Sequence, residues 1–207
     1  MARRIHRPHS LTAQDPRAVR TRQALRRALL DLLKHKPLDQ ITIREIAATA
    51  NVGYVTFFRH HQAKEDLLHE IAAEQVRRLI ELMLPALEAS DTHTAAVALC
   101  TYVDDHRTLW STLLTGGAAG VLREEFLKLA GEVATPRSNP NNWLPPELAV
   151  TFNVSCTIEL LTWWLRQKRP LSIKRIAEIH ERIIINPVMA ADKSWARRVG
   201  TKRNRQR

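Results

Sequence analysis

Apolar residues recur every three or four positions along most of this 207-residue chain, which is the spacing of amphipathic helices. No stretch alternates apolar and polar residues in the way that is typical of a β-strand. The pattern therefore predicts an all-α fold, with helices at residues 16–35, 42–50, 54–60, 64–84, 93–104, 106–114, 118–133, 147–167 and 172–185.

Proline, glycine and asparagine mark the expected ends of these helices. Asp15-Pro16 combines an N-cap residue with the proline that favours the first helical position. Pro85 is expected to end or kink its helix, and Asn186-Pro187 to stop the last one. Gly116-Gly117 should close the helix that precedes it, and residues 134–146 are predicted to form a loop because they are rich in Pro, Asn and Ser.

The stretch from Thr42 to Leu68 predicts a helix-turn-helix. Thr42 precedes Glu45 by three residues, so the two can form a capping box at the start of the first helix. Asn51-Val52-Gly53 interrupts the apolar pattern, and both Asn51 and Gly53 tolerate the positive φ of a tight turn. The second helix of such a motif can enter the major groove of DNA.

Within this stretch the chain resembles the amino-terminal DNA-binding domain of the TetR family of transcriptional regulators. The resemblance covers about Asp15 to Ile80. The residues that match the family pattern are Ala47, Ala50, Val52, Thr56, Phe57, Phe58, Arg59, His60, Lys64, Glu65, Leu67 and Leu68.

Five positions depart from the family pattern. Asn51 stands where the family usually has Gly, and Gly53 where Ser often caps the second helix. Val55 replaces a common Gly, and His61 replaces a second aromatic residue. Phe58 replaces a Tyr and lacks the hydroxyl through which the family's Tyr reaches a phosphate, so that contact is not carried over.

The resemblance implies a three-helix DNA-binding domain with a helix-turn-helix at 15–62, followed by a helical ligand-binding and dimerisation domain at 63–189. It also implies that tilting of the helix from Lys64 alters the spacing of two recognition helices. Residues 1–14 are interpreted as a flexible basic arm that either reaches DNA or has no fixed role, and 190–207 as a basic disordered tail.

The predicted contacts with double-stranded DNA fall into two groups. Tyr54, Val55 and Thr56 open the recognition helix, where side chains reach base edges. Arg59, His60 and Lys64 are interpreted as phosphate contacts. Thr42 can bind a phosphate through its helix start, and Arg44 a phosphate or a base.

The remaining helices suggest two further tasks, each with a simpler alternative. The 147–167 helix is apolar nearly all round, so it is either the centre of a monomer core or, with the 172–185 helix, a homodimer interface. An apolar pocket for an unknown small-molecule effector is predicted from residues that could equally be plain core, namely Met83, Cys100, Trp110, Leu113 and Phe126.

Charge and cysteine content narrow the class of protein. Residues 1–70 hold 13 Lys and Arg against 7 Asp and Glu, residues 71–191 hold 12 against 13, and residues 192–207 hold 7 against 1. Two basic ends around a neutral middle indicate a nucleic-acid-binding end joined to a domain with another role. The alternative is that the Arg-rich helix faces are only solvated. Cys100 and Cys156 lie in apolar surroundings, which favours a reducing compartment over a disulfide framework.

These observations predict a cytoplasmic homodimeric repressor that binds a palindromic operator and is released by an effector. A ligand-independent architectural or scaffold protein is the alternative. We expect no enzyme, cofactor or metal site, because the chain has no phosphate-binding loop, nucleophile motif or metal-spaced cluster. We also expect no membrane span, because no apolar stretch approaches about twenty residues.

Overall fold

The structure is a computed structural model that describes residues 16–115, 118–134 and 144–189. The predicted arm, tail and Gly116-Gly117 lie outside the described residues, as does most of the predicted loop. Every described element is helical. The helices are α1 Pro16–Leu33, α2 Ile43–Thr49, α3 Tyr54–Phe57, α4 Lys64–Glu88, α5 Thr92–Asp105, α6 Arg107–Thr115, α7 Ala119–Ala134, α8 Pro146–Arg166 and α9 Ile173–His180.

Two further turns complete the described chain. A single 3₁₀ turn, Leu38–Gln40, lies between α1 and α2. A π-helical turn, Glu181–Ile185, follows α9 directly. Residues 186–189 then return to α-helix. The all-α class predicted from the apolar spacing is therefore confirmed.

The first four helices form the amino-terminal unit. α1 packs on α2 and α4, and α2 packs on α3. Its core contains fully buried side chains from every part of this unit, including Leu25, Ile46, Phe57, Leu67 and Leu68. Leu67 and Leu68 belong to α4, so the first turns of this long helix form part of the amino-terminal core, and its later turns lie in the rest of the molecule.

The rest of the molecule is assembled around the second half of α4. This helix packs on α5 and α7, α7 packs on α8, and α5 packs on α9. The buried side chains of both parts form one cluster that runs from Leu25 to Ile185. Most predicted helix positions agree with the structure to within two residues.

The recognition helix is shorter than predicted. α3 ends at Phe57, and residues 58–60 form a turn rather than continuing the helix to His60. The amides of His60 and His61 both donate to the Phe57 carbonyl, at 2.9 and 3.0 Å.

Pro85 and Pro187 do not end their helices, although Pro85 was expected to end or kink its helix and Asn186-Pro187 to stop the last one. α4 continues past Pro85 to Glu88. The hydrogen bond that Pro85 cannot make would be to Glu81, and both residues are exposed, so water can bind that carbonyl. Helical structure also continues through Pro187, after a π-helical turn in which the Asn186 amide donates to the Glu181 carbonyl. This wider turn changes the hydrogen-bonding register just before the proline.

Candidate nucleic-acid interface

The first helix of the motif starts at the predicted capping box. The Glu45 amide donates to Thr42 Oγ1 at 3.2 Å, and the Thr42 amide donates to the Glu45 carboxylate at 2.8 Å. Lys36 also donates to the Glu45 carboxylate. The Lys36 ammonium, followed by the Thr42 amide, lowers the pKa of Glu45 to about 2. Glu45 therefore stays ionised at any physiological pH and holds the start of α2 in place.

Only one of the two predicted turn residues has a left-handed backbone. Asn51 has φ of 53°, and its side chain is exposed. Gly53 has φ of −64° and serves as the N-cap of α3, without a side chain to accept a hydrogen bond. The turn therefore depends on Asn51, a residue type that enters the left-handed region more readily than most.

The outer surface of α3 is apolar and aromatic. Tyr54 is 46% exposed, Val55 is 69% exposed and Phe58, just after the helix, is 45% exposed. The Tyr54 and Phe58 rings meet edge to face with centroids 5.2 Å apart. Phe57 is fully buried and anchors the short helix to the core beneath it. Thr56 is half-buried, so it lies at the edge of this surface rather than at its centre.

Arg44 joins this surface from α2. Its guanidinium carbon lies 5.6 Å from the centroid of the Tyr54 ring. Both side chains are exposed. Arg44 and Tyr54 therefore present a cation and a hydroxyl on the same side of the unit.

A second group of basic residues lies beside α3. Arg59 is exposed and His60 is half-buried. Burial lowers the pKa of His60, and the nearby positive charge of Arg22 in α1 lowers it further. His60 is therefore predominantly neutral at pH 7, so any phosphate contact it makes would use a neutral N–H. The sequence shows Arg22 as one of several arginines in α1. It does not show that Arg22 lies near His60, because the two residues are far apart in the chain.

Lys64 was predicted to contact a phosphate, but its ammonium group is bound within the protein. Its ammonium donates to the carbonyls of Leu38, Asp39 and Ile41, at 2.7, 3.2 and 2.7 Å. These bonds occupy its three donors. The geometry therefore favours a structural role, in which Lys64 ties the start of α4 to the chain that precedes α2.

Arg26 and His61 add further connections between α4 and the rest of the amino-terminal unit. Arg26 in α1 forms ion pairs with Glu74 and, at 3.7 Å, with Glu70. His61 is buried, and its Nδ1 lies 3.7 Å from Glu70. Burial lowers the pKa of His61, while the negative charge of Glu70 opposes that effect. These contacts bind α1 and the end of the motif to the first three turns of α4.

A cavity of about 420 Å³ lies in the second unit, between α4, α5, α7 and α8. Met83 and Phe126 line it, as expected from the sequence. Cys100, Trp110 and Leu113 do not. These three side chains are fully buried among neighbouring helices, so they form core rather than pocket. Burial also raises the pKa of Cys100 to about 12.

One face of α8 exposes large apolar side chains. Leu148, Phe152 and Trp163 are each about half exposed, and Ile183 in the π-helical turn is 64% exposed. The opposite face of α8 is buried through residues such as Ile158, Leu161 and Trp164. The buried face agrees with the monomer-core interpretation of this helix, and the homodimer interface stays a prediction for the exposed face.

By length and composition α8 could cross a membrane, which corrects the expectation that no stretch is long enough. Its polar residues are mostly the small Thr, Asn and Ser, so its hydropathy remains high. A core helix passes the same test, and α8 buries one face against α6 and α7. Across the described residues, no three His, Cys, Asp or Glu side chains could hold a metal ion.

Comparison with known proteins supports the assignment of the amino-terminal unit. Residues 25–71 match the family model of the bacterial regulatory proteins of the tetR family. The matched segment includes α2, α3 and the start of α4. An uncharacterised helix-turn-helix transcriptional regulator of Bacillus subtilis strain 168, YxbF, is 38% identical over 68 residues. That match covers 32% of this chain and 18% of YxbF.

Solved structures resemble the chain over most of its length. A TetR transcriptional regulator from Streptococcus agalactiae 2603V has a TM-score of 0.62 at 21% identity, covering 81% of this chain and 95% of its own. NalD, described as the secondary repressor of the MexAB-OprM multidrug efflux pump in Pseudomonas aeruginosa, has a TM-score of 0.57 at 18% identity, covering 84% and 97%. At these identities the likeness establishes the fold.

Proposed function

Because residues 25–71 match the family model of the bacterial regulatory proteins of the tetR family, we propose that this chain is a cytoplasmic transcriptional repressor of that family, which binds a palindromic operator as a homodimer. An effector that enters the cavity in the second unit releases it from DNA. The observation that carries this proposal is the exposed surface of α3, where Tyr54, Val55 and Phe58 face solvent above the buried Phe57.

This surface suits a protein that reads base edges. In the major groove the Tyr54 hydroxyl can hydrogen-bond to a base, and Val55 can contact a thymine methyl group. Arg44 and Arg59 lie at its margins and supply positive charge for bases or phosphates. Exposed apolar side chains are costly in water, so their grouping on one short helix supports a binding role.

The apolar face of α8 supports the proposed homodimer. Leu148, Phe152 and Trp163 recur at helical spacing on that face, and Ile183 adds to the exposed apolar surface. Burial against a second copy would remove these side chains from water. A two-fold axis would also place two recognition helices on successive turns of DNA, which is the arrangement that a palindromic site requires.

The cavity supports release by an effector. It is enclosed mainly by apolar side chains, and its walls include the second half of α4. The first half of the same helix is tied to the DNA-binding unit by Lys64 and Arg26. A ligand that moves α4 would therefore move the recognition helix. The repression proposed here agrees with the description of NalD as a repressor.

The test is selection of genomic DNA fragments by the purified full-length protein at about 150 mM salt, where non-specific binding to phosphates is weakened. We expect the retained pool to contain one palindromic motif. Retention without a motif would favour an architectural DNA-binding protein, and no retention would refute DNA binding altogether.

A further inference from the structure

The cavity has a polar region at one end. Of the described side chains that line it, only Glu88, Asn153 and Thr157 are polar. Glu88 is exposed at the end of α4, whereas Thr157 is buried. Thr157 lies about 16 Å along α8 from Pro146, at the rise of about 1.5 Å per residue. Asn153 lies one turn before Thr157 on the same side of the helix.

Thr157 is backed by a buried histidine. Its Oγ1 lies 2.9 Å from Nε2 of His180, the last residue of α9. His180 is 1% exposed, and its Nδ1 has no hydrogen-bond partner among the described residues. Burial lowers the pKa of His180 to about 4, so the ring is neutral at pH 7. This end of the cavity is therefore built from neutral polar groups in surroundings that disfavour charge.

The Thr157 hydroxyl keeps hydrogen-bonding capacity in either tautomer of His180. If Nδ1 carries the ring proton, Thr157 donates to Nε2 and its oxygen can accept a further bond. If Nε2 carries the proton, it donates to Thr157 and the hydroxyl hydrogen is available to another group. A ligand group that completes the hydrogen bonding of this buried hydroxyl is therefore favoured over hydrocarbon at the same place.

We propose that Asn153 and the Thr157–His180 pair bind the uncharged polar head of an amphipathic ligand, whose hydrocarbon body fills the apolar part of the cavity. This inference rests on the proposed effector role of the cavity and specifies the ligand's chemistry. A charged head is disfavoured because Asn153, Thr157 and His180 offer it no opposite charge, and Glu88, the one ionisable side chain among the described lining residues, is exposed at the end of α4. A long-chain alcohol or amide has the required combination of groups.

The test compares octan-1-ol, octanoate and octylammonium as probes that share one chain and differ in the head. Binding to the full-length protein is measured by calorimetry at pH 7.5. We expect octan-1-ol to bind at least tenfold more tightly than either ion. Tighter binding of octylammonium would indicate that Glu88 governs recognition and would overturn the proposal, as would tighter binding of octanoate.

Two variants locate the head. Thr157→Val removes the hydroxyl with little change in shape, and we expect it to weaken octan-1-ol binding about fivefold, the effect of one hydrogen bond. Asn153→Leu should have a similar effect and decides the question if the first variant does not fold. Thr151→Val is the matched control, because Thr151 is exposed on the same helix. Unchanged octan-1-ol affinity in both Thr157→Val and Asn153→Leu would refute the assignment.

Release from DNA is measured separately, on the operator obtained by selection. If octan-1-ol binds with the expected preferences but leaves the operator complex intact, the head-group site is supported and effector release fails. If the operator is bound but none of the three probes binds, the proposed site fails while the DNA-binding function stands.

Discussion

At the scale of single residues, Phe57 and Phe58 are adjacent in the chain but have opposite environments. Phe57 is fully buried, and Phe58 is 45% exposed beside Tyr54. The sequence identified both as part of one motif. It predicted no DNA contact for Phe58, because Phe58 lacks the hydroxyl with which the family's Tyr reaches a phosphate. The structure places its ring in the exposed apolar surface of α3, next to the residues predicted to read bases.

Tyr54→Ala tests this surface. We expect the variant to lose roughly 1–3 kcal/mol of discrimination between operator and random DNA, which is the usual cost of one mismatched base pair in a specific site. Affinity for random DNA should be almost unchanged, because phosphate contacts supply it. Fluorescence anisotropy with both DNAs measures the two quantities. An equal loss on both would show that Tyr54 does not read sequence.

His180 makes folding stability depend on pH. Its pKa is lowered to about 4 in the folded protein from an ordinary value of 6.5. The unfolded chain therefore takes up the proton first, and stability falls as pH drops from about 6.5 towards 4. We expect His180 to account for about 2 kcal/mol of the loss between pH 7.5 and 5.

Urea unfolding of the parent and of His180→Gln at these two pH values measures that contribution. The variant should be less sensitive to acid by this amount, since its other titrating groups are unchanged. An identical pH dependence in the two proteins would contradict the shift in the pKa of His180.

At the scale of elements, the start of α4 is held by polar contacts rather than by apolar packing alone. Lys64 binds three carbonyls around the 3₁₀ turn, and Arg26 pairs with Glu70 and Glu74 two turns later. These contacts connect the amino-terminal unit to the first half of α4. In the mechanism proposed above, they would carry a movement of the cavity wall to the recognition helix.

Lys64→Ala and Arg59→Ala separate this structural role from phosphate binding. Loss of the Lys64 ammonium should destabilise the fold by on the order of 2 kcal/mol, because three carbonyls lose a charged donor. It should leave the salt dependence of DNA binding unchanged. Arg59→Ala should have little effect on stability but should reduce the salt slope by about 0.9 for each phosphate contact removed.

Thermal unfolding and DNA titrations at several salt concentrations supply both measurements. We expect Lys64→Ala to change only the stability of the fold and Arg59→Ala to change only the salt slope of DNA binding. A reduced salt slope in Lys64→Ala with unaltered stability would restore the phosphate contact predicted from the sequence.

Local patterns predicted the helices well because apolar spacing and capping residues act within a few positions. The capping box of Thr42 and Glu45 and the starts of α4 and α8 are of this kind. The helix continues past Pro85 because the exposed Glu81 carbonyl can bind water, and past Pro187 because a π-helical turn precedes it, and the apolar pattern shows neither effect. The partners of Lys64 could not be predicted, since its donors meet carbonyls 23 to 26 residues earlier in the chain.

At the scale of the whole molecule, the same limit applies to the cavity. Trp110 was predicted to line a pocket, yet it is fully buried in the core. Whether an aromatic ring faces a void or another side chain depends on how several helices meet. Asn153 and Thr157 were overlooked for the same reason, since neither has a distinctive neighbour in the sequence.

Phe152→Glu and Trp163→Glu test the proposed dimer. A carboxylate on the apolar face of α8 should raise the dimer dissociation constant by at least about 30-fold, equivalent to about 2 kcal/mol. Leu82→Glu is the control, because Leu82 is an exposed apolar residue on α4. Analytical ultracentrifugation measures the three variants. Unchanged association of both α8 variants would place the interface elsewhere.

The contribution of α4 to the amino-terminal core affects how such regulators can be recombined. Leu67, Leu68 and Ile71 complete that core, although they follow the domain boundary at residue 62 expected from the sequence. A fragment that stops at this boundary would lack both these side chains and the Lys64 tie. A chimera that grafts this DNA specificity onto another sensor should therefore join the two proteins within α4 beyond Leu79, the last fully buried residue of the helix.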